Sequence, residues 1–257
     1  MYSNLITLKD DTWITRQKFA GRCVANILGK CGSAISSKSV SSLKDLESLA
    51  DLLFKFSGCT PTFKGYRGFP STMCVSVNKQ LVHGICTDYI LQDGDIVSVD
   101  VGATYEGAIA DAARTWIYGS PKSEIHVELV EAGKKALTAG RKAIAVGKHI
   151  GAIGSAIHNF VKSTRFHVIT EYGGHGLDYN KPHADPFVIN KASSDEGIIM
   201  RNGLSIAVEP MLVIGDTATK ITDDGWTVVC SDVSCHFEDS FTIYNNEVHW
   251  ITEVLYE

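Results

Sequence analysis

The residues of this chain that could do chemistry stand where apolar residues would be expected. In "VSVDVGATYEGAIADAARTW", residues 97–116, Asp100 interrupts a run of valines and Asp111 returns on an equally apolar segment. A carboxylate in such surroundings is costly unless positive charge meets it. The nearest cation on the same stretch, Arg114, lies three residues past Asp111 and is expected on the opposite face. Three more residues repeat the pattern: Glu209 within "GLSIAVEPMLVIG", Glu238 within "CHFEDSFTIY" facing the same way as His236, and His175 in the glycine-rich "EYGGHGLDY". Any one acid of this kind is more often at a strand edge or in a salt bridge. The five together ask for another explanation. If Asp100 and Asp111 meet in one pocket, either one keeps a proton or a cation lies between them. Oxygen donors with one imidazole suit divalent Mn, Fe, Co or Zn. Four carboxylates exceed the charge of one such ion, so two ions sharing bridging carboxylates are the natural count.

The elements that must position these groups are legible in outline. Alternation in "GDIVSVDVG" puts Ile96, Ser98 and Asp100 on one face of a strand and Val97, Val99 and Val101 on the other. A turn at Tyr105 to Gly107 would fold "AIADAA" back and bring Asp111 near Asp100. Ahead of them, Ile14, Phe19, Val24, Ile27 and Leu28 fall near helical spacing, and Ser42 with Asp45 reads as a capping box before a second helix. "SPKSEIHVELVEAGKKALTAGRKAIAVGKHIGAIGSAIHNFVKST" reads as two further helices separated near Gly147, and strands run from Phe166 onward. Helices then strands, given twice, imply an α+β fold: a single domain over 1–257, made of similar halves at about 1–120 and 121–257, with a site between them.

Composition narrows the classes. The 257 residues carry 24 basic and 29 acidic side chains, a net charge of −5, so no cationic footprint for nucleic acid is present. Seven cysteines, odd in number and without a CxxC pair, favour reduced thiols over disulfides or structural zinc. The N-terminal "MYSNLITLKDD" lacks a cationic patch followed by an apolar stretch, and no segment approaches the roughly 20 apolar residues of a membrane span. A cytoplasmic protein with no membrane partner is expected.

"DGDIVSVDVG", "ADAART", "GGHG", "AVEPML" and "HFEDS" resemble, in order, the metal-ligand motifs of the type I methionine aminopeptidases. "FKGYRGFPSTMCVSVNKQLVHGI", "GKHIGAIGSAI" and "DGWTV" extend the resemblance over nearly the whole chain. It implies the pita-bread fold: pseudo-two-fold halves around a central curved antiparallel sheet flanked by helices. It also implies a dinuclear centre of Co, Mn, Fe or Zn, in which Asp100 chelates one ion, Asp111 and Glu238 bridge both, and His175 and Glu209 complete the other. The reaction implied is removal of the initiator methionine from nascent proteins, by a water or hydroxide that bridges the ions. Glu209 would accept the water's proton. His83, in "LVHGI", matches the family histidine near the substrate amine, and His183 would contact the scissile amide. Tyr66, Phe69, Cys74 and Trp226, with Phe63 beside them, match the methionine-side-chain pocket. His183 lies eight positions after His175, one more than is usual in the family, with Pro182 in place of the apolar residue usual before it. His126, His149, His158, His167 and His249 read as structural or surface residues. The partners implied are N-terminal Met peptides. The protein is expected to be a monomer whose contact with the ribosome, if it makes one, uses the catalytic domain's surface, because the chain begins almost directly with its first helix. Two alternatives share the scaffold: an enzyme acting on X-Pro bonds, which generally carries a further N-terminal domain, and a non-catalytic binding protein, which would be expected to have lost ligands.

Overall fold

The computed structural model describes residues 6–253. The reading of the N-terminal segment rests partly on residues 1–5, which lie outside the described residues. Helix α1 (Asp11–Ser36) starts where the Asp10 carboxylate accepts the Trp13 N–H, and it buries Ile14, Val24, Ile27 and Leu28 at the expected spacing. Phe19 is only half-buried, packed against the edge of the same core. Helix α2 (Leu43–Ser57) carries the expected capping box: Ser42 Oγ accepts the Asp45 N–H and the Asp45 carboxylate accepts the Ser42 N–H. Such a cap contributes about 1 kcal/mol.

Strands β1 (Thr60–Pro61), β2 (Cys74–Val77), β3 (Gln80–Val82), β4 (Ile96–Tyr105) and β5 (Ala108–Ile117) follow. β4 and β5 form an antiparallel hairpin paired from Tyr105↔Ala108 to Ile96↔Ile117. Its two-residue turn puts Glu106 at φ 45° and Gly107 at φ 84°, the left-handed pair that matches strand twist in tight hairpins. Helix α1 packs across both strands.

The rest of the chain supplies α3 (Glu124–Ala143), α4 (Gly151–Val161), β6 (His167–Val168), β7 (Gly174–Asp178), β8 (Lys181–Val188), β9 (Ser205–Val208), β10 (Met211–Val213), β11 (Thr219–Ile221), β12 (Val228–Cys230), β13 (Ser234–His236), β14 (Asp239–Tyr244) and β15 (Glu247–Trp250). Every strand pair described is antiparallel, and helices cover the sheets. The ladder is divided into four hydrogen-bonded sheets, one of them β15-β14-β9-β7-β8. One large core draws on residues 20–118 with Ile251, and another on Ile96 with residues 129–250.

Those two bodies of chain meet where β3 pairs with β12 and along a seam between β5 and residues 236–240. At its centre Ala113 and Glu238 exchange backbone hydrogen bonds of 3.2 and 2.9 Å. On one side Ser240 Oγ accepts the Asp111 N–H at 2.8 Å and donates to the Asp111 carbonyl at 2.7 Å. On the other, Thr115 Oγ1 accepts the His236 N–H at 3.0 Å and donates to the His236 carbonyl at 2.7 Å. A hydroxyl thus replaces the direct backbone pair at each flank, and the flanks mirror each other about Ala113. Among the described residues no helix is long and apolar enough to cross a membrane.

Candidate functional site

The hairpin register sets the first two acids. Asp111 lies opposite Gly102, while Asp100 lies opposite Ala113 on one side and Cys74 of β2 on the other. The two carboxylates are therefore diagonal neighbours on one face of the hairpin. Arg114 turns to the other face as expected, where its guanidinium pairs with Asp239 at 2.7 Å and donates to the Glu238 carbonyl. Glu209 does not sit in mid-strand: Pro210, which has no N–H to give a ladder, separates β9 from β10, and Glu209 falls in the break. Glu238 occupies a similar break between β13 and β14. His175 stands between Gly174 and Gly176, where a Cβ would collide with the carbonyl oxygens of Ala207 and Asp185 respectively. Only glycine on both sides lets the neighbouring strands close on the histidine.

The structure brings all five residues to one place. His175 Nε2 lies 3.6 Å from Glu209 Oε1 and 3.8 Å from Glu238 Oε1. Asp111, His175 and Glu238 have potential ligand atoms within 4.8 Å of one another, as do Glu209, His236 and Glu238. Asp111 and Glu238 are each 2% exposed.

Burial pushes the Asp100, Glu209 and Glu238 carboxyls well above the usual range, and the charge of Asp111 adds to each shift. Asp111 is itself raised to about 7 by burial, with its hydrogen bond to Asp100 opposing. Burial lowers His175 to about 4 and His236 to about 3, so both imidazoles are neutral with lone pairs available. Asp100 Oδ1, Asp111 Oδ1 and His236 Nε2 are sealed from solvent without a hydrogen-bond partner. Clustered acids, neutral imidazoles and partnerless donor atoms facing one cavity are what a divalent cation satisfies, so these residues fit a metal centre.

The cavity beside them measures about 280 Å³. Phe63, Tyr66, Phe69, Cys74 and Trp226 line it, with Phe69 and Trp226 edge to face at 5.2 Å. The Asp224 carboxylate accepts the backbone N–H groups of Trp226 and Thr227, fixing the turn that presents the indole. His83 also lines the cavity and holds φ 58°, a strained value for a residue other than glycine. Burial lowers His83 below its usual pKa; His183, solvent-exposed overall, is lowered to about 3 by desolvation where its ring meets the cavity and by the neighbouring His175. The His183 ring lies 4.6 Å from that of His175 and 5.4 Å from that of Tyr66. The additional residue before it is absorbed within the β7–β8 hairpin: from Gly176↔Ala184 to Asp178↔Lys181, β8 uses one more residue than β7. Pro182 is buried and does not line the cavity.

His126, His149, His158, His167 and His249 stay outside this cavity, and all seven cysteines are free. Other lining residues were not singled out from sequence as part of the site. His236 carried a signal, its shared direction with Glu238. Arg67, over the Tyr66 ring, and Glu171 and Tyr172 stand in segments already assigned to the site, but their residue types carried no signal of their own; Phe187 belongs to a segment that only the tertiary fold brings to the cavity.

Metallopeptidase family M24 matches residues 17–245. A methionine aminopeptidase of Mycoplasma capricolum is 37% identical over 251 residues, which are 97% of this chain and 99% of the relative. The crystal structure of methionine aminopeptidase from Thermotoga maritima superposes with a TM-score of 0.92 at 36% identity, covering 97% of this chain and 100% of that one. Prolidase from Pyrococcus furiosus shares the fold, with a TM-score of 0.71 at 19% identity, but the match covers 65% of its length.

Proposed function

The chain belongs to metallopeptidase family M24 and, within it, to the methionine aminopeptidases, and from that membership we propose that it removes N-terminal methionine at a centre formed by Asp100, Asp111, His175, Glu209 and Glu238. It is a metallohydrolase. The observation that carries the site assignment is the convergence of these five residues beside an aromatic pocket, with Oδ1 of Asp100 and Oδ1 of Asp111 left partnerless.

When bound, divalent ions supply Lewis acidity that makes water a nucleophile near neutral pH and stabilises an oxyanion. The protein's own groups do the rest. Phe63, Tyr66, Phe69, Cys74 and Trp226 form an apolar slot for the methionine thioether. Glu209 accepts a proton from the attacking water and returns it toward the departing amine as the C–N bond breaks. His83 and His183, both neutral, bracket the amine and amide ends of the methionine residue.

Two ions, drawn from Co, Mn, Fe or Zn, match the four carboxylates in charge. The substrates are nascent chains in the cytoplasm, met by a monomer with a transient ribosome contact through its own surface. The test is hydrolysis of a Met-Ala-Ser peptide by metal-stripped protein reconstituted separately with Mn, Fe or Co, alongside an Asp111→Ala variant and an X-Pro peptide. Metal-dependent release of methionine that disappears in the variant is expected. Cleavage only of the X-Pro peptide, or undiminished activity in Asp111→Ala, would overturn the reading.

A further inference from the structure

His236 has no part in the steps above, yet it is among the most constrained side chains of the site. It is 1% exposed, and Thr115 Oγ1 clasps its backbone N–H and carbonyl from across the seam. Its Nε2 faces Glu209 Oε2 at 3.2 Å without completing a hydrogen bond, and that nitrogen is sealed from solvent with no other hydrogen-bond partner. A ring nitrogen of His236 and one oxygen each of Glu209 and Glu238 lie mutually within 4.8 Å. Two donors held by one ion at about 2.1 Å, with an angle of 90–120° between them, stand roughly 3.0–3.6 Å apart. The observed separation of 3.2 Å falls inside that range.

We propose that His236 is a sixth donor of the metal centre, giving Nε2 to the ion position bounded by Glu209 and Glu238. The inference rests on the metal-centre reading above and deepens it. With His175 the centre has two imidazoles, which shifts its preference toward Co, Fe and Zn and away from ions that demand oxygen alone. A lone pair directed at an ion also explains why this nitrogen tolerates burial with no hydrogen bond.

The experiment is titration of metal-stripped protein with Co(II), followed by visible absorption and calorimetry, for the unaltered chain, His236→Gln, His236→Phe and Asp111→Asn. Circular dichroism checks that each variant is folded. Glutamine can donate a hydrogen bond to Glu209 but is a poor ligand, so it separates the two roles of the ring. Expected are a changed visible band and affinity weaker by at least about tenfold in both His236 variants, since even outer partners of a metal centre shift affinity that far. An unchanged band and affinity in His236→Gln would reduce His236 to a hydrogen-bonding neighbour and overturn the proposal alone. Failure of the unaltered chain to bind Co(II), or binding undiminished in Asp111→Asn, would instead overturn the metal-centre reading on which it depends.

Discussion

Replacing Arg114 by Met should be one of the most damaging single changes away from the reacting groups. Its guanidinium meets the Asp239 carboxylate at 2.7 Å, with the two side chains 4% and 2% exposed. It also donates to the carbonyls of Ala113 and Glu238. Burial pushes the Asp239 carboxyl above its usual pKa, and the Arg114 charge is the main force opposing that shift. Arg114→Met leaves this carboxylate buried without its counter-charge, although Thr252 Oγ1 still donates to it. Removing one member of a buried ion pair costs about 3–5 kcal/mol. At about 2–4 °C per kcal/mol for a chain near this size, the midpoint of thermal unfolding should fall by roughly 6–20 °C. The assay is urea unfolding of the metal-stripped protein, run as a cycle with Asp239→Leu and the double variant. The double variant removes the orphaned charge along with its partner, so it should be more stable than Arg114→Met alone. Co(II) affinity should weaken in parallel, because the Glu238 carbonyl loses one of its two donors and keeps only the Ala113 N–H. A cost below about 1 kcal/mol, the level of an exposed pair, would refute the argument. Strict additivity in the cycle would refute it too.

Gly176→Ala should abolish stoichiometric Co(II) binding while leaving a folded chain by circular dichroism, because the added Cβ meets the Asp185 carbonyl and β7 must move with His175; calorimetry showing full binding would contradict this. Burial pushes the Asp224 carboxyl up, but hydrogen bonds from Thr227 and the Trp226 N–H outweigh it and hold it at about 2. Its folded pKa is thus below the ordinary value, so its support of the Trp226 turn is complete above about pH 4 and is lost as pH falls through 2. Asp224→Ala should therefore raise KM for a Met peptide severalfold at every pH from 6 to 9, with kcat little changed, and a KM effect that varied across this range would count against the assignment.

How much of this was legible from sequence follows from the distance over which each feature is determined. The Asp100–Asp111 pairing lies within one hairpin, so strand alternation and the turn at Glu106–Gly107 sufficed to set it. The Ser42–Asp45 box is equally local. The direction of Arg114 followed from strand period, but its partner Asp239 did not, because that contact spans the seam. Glu209 was read as mid-strand because its neighbours are apolar, although Pro210 marked the break. The place of His183 could not be obtained by counting, since a shift within β8 takes up the additional residue. His236 was noticed beside Glu238, but its approach to Glu209 joins segments whose relation only the folded sheet reveals.

The seam has a consequence for how the molecule could be divided. One large core lies mainly before residue 120 and the other mainly after it; the edge of β5 meets residues 236–240 through one backbone pair, two hydroxyl clasps and the Arg114–Asp239 pair, and β3 pairs with β12. A chain cut in the Gly119–Ser120 loop would leave each fragment a core of its own and an open strand edge that fits the other fragment. Asp100 and Asp111 would travel with one piece, and His175, Glu209, His236 and Glu238 with the other. The molecule is thus a natural candidate for complementation from two polypeptides, in which recovered activity would report their reunion, and either piece alone would carry an unpaired edge prone to self-association.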